Sequence, residues 1–172
     1  MEALGDGDGR LLVSIARSME EAARKSGEWL VCKAGCTECC MGPFEITGLD
    51  GERLRRGLIA LEAEDAARAE RVRARVVAYV EGDDAPCPVL DTDTGLCDLY
   101  AWRPVTCRVF GPVTEVDGGL ASCELCYEGA TPEEMAACAV EVDGEGLEAA
   151  ILERMGNPAG SNVAEALRQS GS

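Results

Sequence analysis

The spacing of the cysteines limits what this chain can fold into more than any other feature of the sequence. Four of them lie in one short segment, Cys32-x3-Cys36-x2-Cys39-Cys40. A segment this short forms a loop, and Gly35 gives its backbone the freedom that wrapping around a metal requires. Cysteines are grouped in this way either to form disulfides in an oxidising compartment or to hold a metal as thiolates.

A second group of cysteines follows a stretch with helical spacing; its members are Cys87, Cys97, Cys107, Cys123 and Cys126. The first residues of the chain contain neither the basic nor the apolar segment of a secretory signal, so we expect the protein in the cytoplasm. Thiols stay reduced there, which favours metal binding over disulfides. We therefore predict nine metal ligands: Cys32, Cys36, Cys39, Cys40, Cys87, Cys97, Cys107, Cys123 and Cys126.

The tenth cysteine, Cys138, is predicted to be a core residue instead of a ligand. Met135, Cys138 and Val142 follow one another at the i, i+3, i+7 spacing of a buried helical face. The helix that carries them is expected to start at a capping box, Thr131-Pro-Glu-Glu134. Replacing Cys138 should therefore leave metal binding intact.

Charge and composition restrict the partners of the chain. The formal net charge is −16, which makes binding to nucleic acids and to anionic membrane surfaces unfavourable. The chain contains no histidine, so a soft-metal site must consist mostly of thiolates. We expect zinc or iron as the bound metal, with an iron–sulfur cluster as one form of the iron.

The hydrophobic pattern predicts a mainly α-helical fold with a small irregular or β-hairpin segment. The chain is expected to form one compact, metal-stabilised domain over residues 1–172. An N-terminal helix is expected over 10–27, and C-terminal helices are expected over 131–169. Between them lies the cysteine core motif, residues 29–129.

A long helical run is predicted in the middle of the chain. Thr47 is placed to cap its start, and the glycine- and proline-containing segment after Val80 ends it. The charge-rich part of the run, residues 62–75, is interpreted as a solvated helical face. Turn residues between positions 88 and 129 predict two small hairpins.

The spacings leave open how the cysteines are shared among metals. Cys36-x2-Cys39 and Cys123-x2-Cys126 are each typical of zinc sites, and the two pairs together supply four sulfurs. The spacing Cys32-x3-Cys36-x2-Cys39 is also the one with which radical S-adenosylmethionine enzymes hold an iron–sulfur cluster. Either two metals are bound, or one site is accompanied by reactive thiols.

The adjacent pair Cys39 and Cys40 is expected to be divided between sites. Neighbouring side chains point in different directions unless the backbone turns sharply. We therefore expect the two cysteines to serve different ligand sets, or one of them to stay free of metal.

A site of several thiolates is negatively charged and needs cations nearby to be stable inside a domain. Lys33, Arg103 and Arg108 lie beside cysteines in the sequence. Pro104 fixes the backbone next to Arg103, and Arg108 directly follows Cys107. Arg103 and Arg108 are therefore predicted to neutralise the thiolates.

Several residues after the first cysteine group recur in a recognisable order. They are Cys87-Pro88, Gly95-x-Cys97, Tyr100, Arg103-Pro104 and Cys107-Arg108. Together with the first group they resemble the YkgJ-type family of cysteine-cluster proteins, over residues 32 to about 126. The resemblance implies a zinc- or iron-chelating domain in which Tyr100, Arg103 and Arg108 lie next to the ligands.

Two functions from different classes follow from these observations. The first is a metal-binding module with a structural or metal-handling role. The second is an iron–sulfur enzyme or electron-transfer protein, because a similar cysteine module occurs in flagellin lysine N-methylases together with an iron–sulfur cluster and S-adenosylmethionine. The chain has no nucleotide-binding fingerprint and no clear catalytic dyad, so the sequence identifies no catalytic residue.

Overall fold

The computed structural model describes residues 2–116 and 119–169. Within them the chain forms seven α-helices and two antiparallel sheets of two strands each. The predicted fold class, mainly α-helical with small hairpins, is therefore confirmed. None of the helices in this part of the chain is both long and apolar enough to cross a membrane.

The chain divides into two compact units, and each unit combines two separate stretches of sequence. Unit 1 consists of Met1–Lys33 and Arg108–Gly156, and unit 2 consists of Ala34–Cys107 and Asn157–Ser172. The organisation as one domain stays a prediction.

Unit 1 is built on a long N-terminal helix that begins earlier than predicted. Its Leu11, Ile15 and Ala22 are buried along one face. A second core of this unit contains Val113, Cys123, Cys126, Tyr127 and Cys138. The elements are α1 (Glu2–Ser26), β3 (Thr114–Val116), β4 (Gly119–Ala121), α5 (Pro132–Cys138) and α6 (Leu147–Arg154).

The burial predicted for Cys138 is confirmed, since 6% of this residue is exposed. The predicted start of its helix is also confirmed. Thr131 Oγ1 accepts a hydrogen bond from Glu134 N at 3.2 Å, and the Glu134 carboxylate accepts one from Thr131 N at 2.8 Å.

Unit 2 packs α2 against α3 and α7 around an apolar core. Leu54, Leu58, Val72 and Val76 are buried in it. The elements are α2 (Gly48–Glu64), α3 (Ala66–Ala78), β1 (Leu90–Asp91), β2 (Leu96–Cys97) and α7 (Val163–Arg168); α4 (Val105–Val109) starts at the end of the first stretch of this unit.

The predicted central helical run starts where expected but does not continue unbroken. Thr47 Oγ1 accepts a hydrogen bond from Asp50 N at 3.2 Å, which confirms Thr47 as the cap of α2. Asp65 then leaves the helical conformation, and its carboxylate caps α3 by accepting from Arg68 N at 3.0 Å. The helical run was predicted to extend to Val80, but α3 ends at Ala78, and Val80 lies beyond it and is 80% exposed.

Candidate metal centre

Four cysteines of unit 2 come from four different local structures and lie near one another. Cys39 is in the 3₁₀ turn Glu38–Cys40, Cys87 precedes β1, Cys97 ends β2, and Cys107 lies in α4. These four residues form six pairs. In each pair the two cysteines are close enough for the charges of their thiolates to interact. We call Cys39, Cys87, Cys97 and Cys107 the four-thiol cluster.

Backbone hydrogen bonds hold the segments of the four-thiol cluster together. Cys87 N donates to Cys40 O at 2.7 Å. Cys97 pairs with Leu90 across the β1–β2 hairpin. The turn of this hairpin closes through Gly95 N, which donates to Asp91 O at 2.8 Å. Gly95 has a φ of +69°, which glycine adopts at little cost.

Cys39 and Cys40 do not diverge as expected, because the 3₁₀ turn brings both side chains to one side of the backbone. Their Sγ atoms lie 3.9 Å apart. A zinc–sulfur bond of about 2.3 Å in tetrahedral geometry separates two sulfurs by about 3.8 Å. The observed distance therefore matches two sulfurs that bind the same ion.

The thiols of the cluster are all difficult to ionise without a metal. The hydrogen bond with Cys40, followed by burial, raises the pKa of Cys39. Burial raises the pKa of Cys87 to about 12 and also raises the pKa values of Cys97 and Cys107. Neighbouring thiolates raise all of these values further, since like charges repel. A metal cation would reverse this repulsion by displacing the thiol protons.

Arg103 is one of the cations that were predicted to lie near the ligands. Burial and neighbouring groups raise the pKa values of Cys39 and Cys97, and the charge of Arg103 acts in the opposite direction on both. Its guanidinium lies over the Tyr100 ring, 3.8 Å from the ring centre, and Nη1 donates to Tyr100 O at 3.0 Å. Tyr100 is 63% exposed, so it orients Arg103 from the surface of unit 2. Arg108 belongs to unit 1 and is half-buried, and its role at the thiolates stays a prediction.

Sequence reasoning missed a group of charges that fixes the hairpin onto α3. Asp98 is buried directly after Cys97, and its carboxylate pairs with Arg68 and Arg75. Arg75 Nε also donates to Pro88 O at 2.9 Å, next to Cys87. The interpretation of residues 62–75 as a solvated face is therefore wrong for these two arginines. Their partner lies far along the chain, and no local spacing indicates it.

A buried ion pair positions the helix that carries Cys107. Asp50 and Arg53 of α2 are 1% and 2% exposed and bind each other. Asp50 Oδ1 also accepts a hydrogen bond from Val105 N at 3.0 Å, at the first residue of α4. The start of α4 is thereby attached to α2.

The remaining predicted ligands are divided between the two units. Cys36 is half-buried in the loop of unit 2 whose Gly35 lies beside Gly95 of the hairpin turn. Cys32, Cys123 and Cys126 belong to unit 1. The structure thus brings together the four-thiol cluster and Cys40. Metal binding by all nine cysteines stays a prediction.

The donor set of the four-thiol cluster fits zinc or iron. Sulfur ligands favour these metals, whereas magnesium and calcium need oxygen ligands. Among the residues that the structure describes, no three cysteine, aspartate or glutamate side chains are already arranged around one metal position. The thiols are therefore neighbours whose side chains must rotate toward a common point when a metal binds.

Removing the charge of Arg103 should make the centre release its metal at higher pH. Without this cation the pKa values of Cys39 and Cys97 rise further, so protons begin to displace the metal at a higher pH. For Arg103→Gln we expect an affinity about two- to tenfold below that of the wild type. The measurement is chelator competition at several pH values.

The control for this prediction is Arg71→Gln, which removes the same charge from an exposed position of α3. It should release metal at the wild-type pH. Equal release curves for Arg103→Gln and Arg71→Gln would show that Arg103 does not act on the centre.

The comparisons with known proteins agree with this donor chemistry. Residues 31–129, more than half of the chain, match the model of the family CxxCxxCC, which is described as "Putative zinc- or iron-chelating domain". The matched range includes all nine predicted ligands. Neither the comparison with curated proteins nor that with solved structures found a match.

Proposed function

The chain belongs to the CxxCxxCC family, and we propose that it binds zinc or iron at the four-thiol cluster, where the metal stabilises unit 2. The observation that carries this proposal is the mutual proximity of Cys39, Cys87, Cys97 and Cys107 in all six pairs. They are the residues that the metal would cross-link.

Four thiolates fill the coordination sphere of a tetrahedral metal. Structural zinc sites have this composition, whereas catalytic sites keep a position open for water or substrate. The four sulfurs also come from three short elements, a 3₁₀ turn, a hairpin and α4. A metal at this point would hold these short elements in place, because metal-binding free energy is coupled to folding.

Cys40 supports the same centre from one side. Its Sγ is 3.9 Å from that of Cys39, close enough to replace a neighbouring thiolate in the sphere. Its carbonyl accepts the hydrogen bond from Cys87 N. With Cys40 the centre has five candidate sulfurs, of which a tetrahedral metal uses four at a time.

The test compares two cysteines that are almost equally buried. Cys87 is 7% exposed and Cys138 is 6% exposed, but only Cys87 belongs to the four-thiol cluster. Cys87→Ala should lose one equivalent of metal and the stabilisation that this metal provides. Cys138→Ala should keep the full metal content. Its free energy of unfolding should fall by about 1 kcal/mol, because only packing is lost.

The measurement is elemental analysis after anaerobic purification, with thermal unfolding recorded before and after addition of a chelator. The chelator should lower the unfolding temperature of the wild type and of Cys138→Ala, and lower that of Cys87→Ala much less. If Cys87→Ala keeps full metal content and the wild-type response to the chelator, the proposed centre is wrong.

The visible spectrum of the anaerobically purified protein identifies the metal. Zinc has a filled d shell and gives a colourless protein, whereas an iron–sulfur cluster absorbs broadly in the visible range. Absorption that disappears in Cys87→Ala and persists in Cys138→Ala would show that the cysteines of the four-thiol cluster hold an iron–sulfur cluster.

A further inference from the structure

Unit 1 carries an open groove of about 480 Å³ that contains no residue of the four-thiol cluster. The residues that line it come from the ranges 25–31 and 125–128. A backbone hydrogen bond joins the two segments, since Tyr127 N donates to Trp29 O at 3.1 Å. The volume lies within the range of ligand pockets in proteins, about 300–1,000 Å³. We call this surface the Trp29 groove.

Tyr127, one of the lining residues, is held rigidly in an uncommon conformation. Its φ is +62°, which costs free energy for a residue with a side chain. Its hydroxyl accepts from Val113 N at 3.1 Å and bonds Ser26 Oγ at 2.5 Å, and Ser26 Oγ in turn donates to Ala22 O at 2.6 Å. Residues in such conformations cluster at ligand sites, where the surrounding structure fixes them. The groove is therefore preformed, and a ligand loses less free energy in ordering it.

Large apolar side chains line the groove and remain open to solvent. Val31 is 54% exposed and Leu125 is 48% exposed, while Trp29 is half-buried. Tryptophan is enriched among the residues that contribute most to binding at protein interfaces. An apolar side chain that enters the groove would cover this surface and remove it from water.

The groove also carries two carboxylates that have no counter-charge. Within the part of the chain that the structure describes, neither Glu28 nor Glu128 forms an ion pair or a side-chain hydrogen bond. The cation in the lining, Lys25, is already bound to Glu21 at 3.2 Å and to Ala139 O at 2.9 Å. The charge of the groove therefore favours a cationic ligand, and the net charge of −16 would attract such a ligand from a distance.

The openness of the groove favours a peptide over a small cation. A small ligand binds well when most of its surface is buried, and an open groove leaves much of it in water. A peptide can place one apolar side chain in the groove while its neighbouring residues reach the carboxylates at the edge. Protein grooves recognise peptide segments in this way, through a few anchoring side chains.

We propose that the Trp29 groove binds a segment of a partner protein in which lysine or arginine flanks a large apolar residue. The apolar side chain packs against Trp29 and Leu125, and its basic neighbours pair with Glu28 and Glu128. This inference goes beyond the proposed function, because it assigns a protein-binding role to unit 1 and does not depend on a metal.

The first experiment measures fluorescence anisotropy of short labelled peptides with the protein as purified. The basic–apolar probe has lysines on both sides of a leucine–phenylalanine pair. The acidic–apolar probe has glutamate in place of lysine, and the basic–alanine probe has alanine in place of leucine and phenylalanine. The basic–apolar probe should bind at least tenfold more tightly than either of the others. Absence of binding, or equal affinity for one of the other two probes, would overturn the proposal.

The second experiment repeats the titration of the basic–apolar probe with variants of the groove. Glu28→Gln/Glu128→Gln should weaken binding about four- to tenfold, because two ion pairs at an exposed edge are lost. The matched control is Glu20→Gln/Glu145→Gln, which removes the same charge from exposed positions of unit 1 outside the groove. It should change the affinity less than about twofold. Equal affinities of the two double variants would contradict the proposal.

A third measurement uses the unmodified protein, so that it does not depend on the folding of variants. The chain has two tryptophans, Trp29 and Trp102, and Trp102 belongs to unit 2. The basic–apolar probe should shift the NMR signal of the Trp29 indole N–H and leave that of Trp102 unchanged. An unchanged Trp29 signal at saturating probe would overturn the proposal. So would an equal shift with tetramethylammonium, because a small cation would then be sufficient.

The remaining alternative, a second copy of this chain in the groove, is tested by sedimentation equilibrium. We expect wild-type protein and Leu125→Ser to have the same mass. Leu125→Ser should nevertheless bind the basic–apolar probe about tenfold more weakly, because an apolar contact is lost. A wild-type dimer that dissociates in Leu125→Ser would show that the groove is covered by a second copy and would overturn the proposal.

Discussion

Asp50→Asn is expected to lower the free energy of unfolding by about 3–5 kcal/mol, because it breaks a buried ion pair by removing the carboxylate charge that binds Arg53. Both side chains are almost fully buried on α2. Asparagine keeps an oxygen that can accept from Val105 N, so the attachment of α4 is preserved and the charge alone is removed. The measurement is denaturant unfolding at saturating zinc, because bound metal contributes to stability.

Glu52→Gln is the matched control for Asp50→Asn. Glu52 lies on the same helix and forms partly exposed pairs with Arg55 at 3.3 Å and Arg56 at 3.0 Å. The substitution removes the same charge from these pairs. Its effect should stay below about 1 kcal/mol. Asp50→Asn/Arg53→Met should recover much of the loss, because both charges of the buried pair are then replaced. If Asp50→Asn costs no more than Glu52→Gln, the buried pair does not stabilise the fold.

The second large effect is expected for Asp98→Asn, which should cost about 1.5–3 kcal/mol. The carboxylate is buried and accepts charge-assisted bonds from Arg68 and Arg75. Both arginines are partly exposed, so water stabilises them after the change, and the cost is smaller than for Asp50→Asn. Unfolding is measured in excess chelator, so that any change in metal affinity does not enter the result.

Glu62→Gln is the corresponding control for Asp98→Asn. Glu62 pairs with Arg73 at 2.6 Å, but both side chains are exposed. A change of a few tenths of a kcal/mol is expected. Equal stabilities of Asp98→Asn and Glu62→Gln in chelator would show that the Asp98 pairs do not hold the hairpin on α3.

Features that depend on neighbouring residues could be predicted from the sequence. Thr47 and Thr131 cap helices because a side-chain oxygen accepts from an N–H three residues later, and this geometry follows from spacing alone. Asn162 caps α7 with the same geometry. Both hairpins were predicted because the sequence between their strands contains glycine and aspartate, which favour turns.

Features that depend on distant residues could not be predicted in this way. Asp98 finds its partners on α3, and nothing in the local spacing of the α3 arginines distinguishes them from solvated charges. The proximity of Cys39 and Cys40 depends on a 3₁₀ turn that has no side-chain cap. The cysteine spacing predicted thiolate chemistry, but the grouping of the thiols follows from tertiary contacts.

The alternation of the two units along the chain constrains the order in which they can be completed during synthesis. The first stretch of unit 1, Met1–Lys33, leaves the ribosome before any of unit 2, yet its second stretch starts only at Arg108. Unit 2 in turn waits for its last stretch, which begins at Asn157. A growing chain therefore carries the thiols of its first cysteine group long before their partners exist. The last ligand of the four-thiol cluster, Cys107, is made before α7 completes unit 2, and no single contiguous fragment should reproduce either unit.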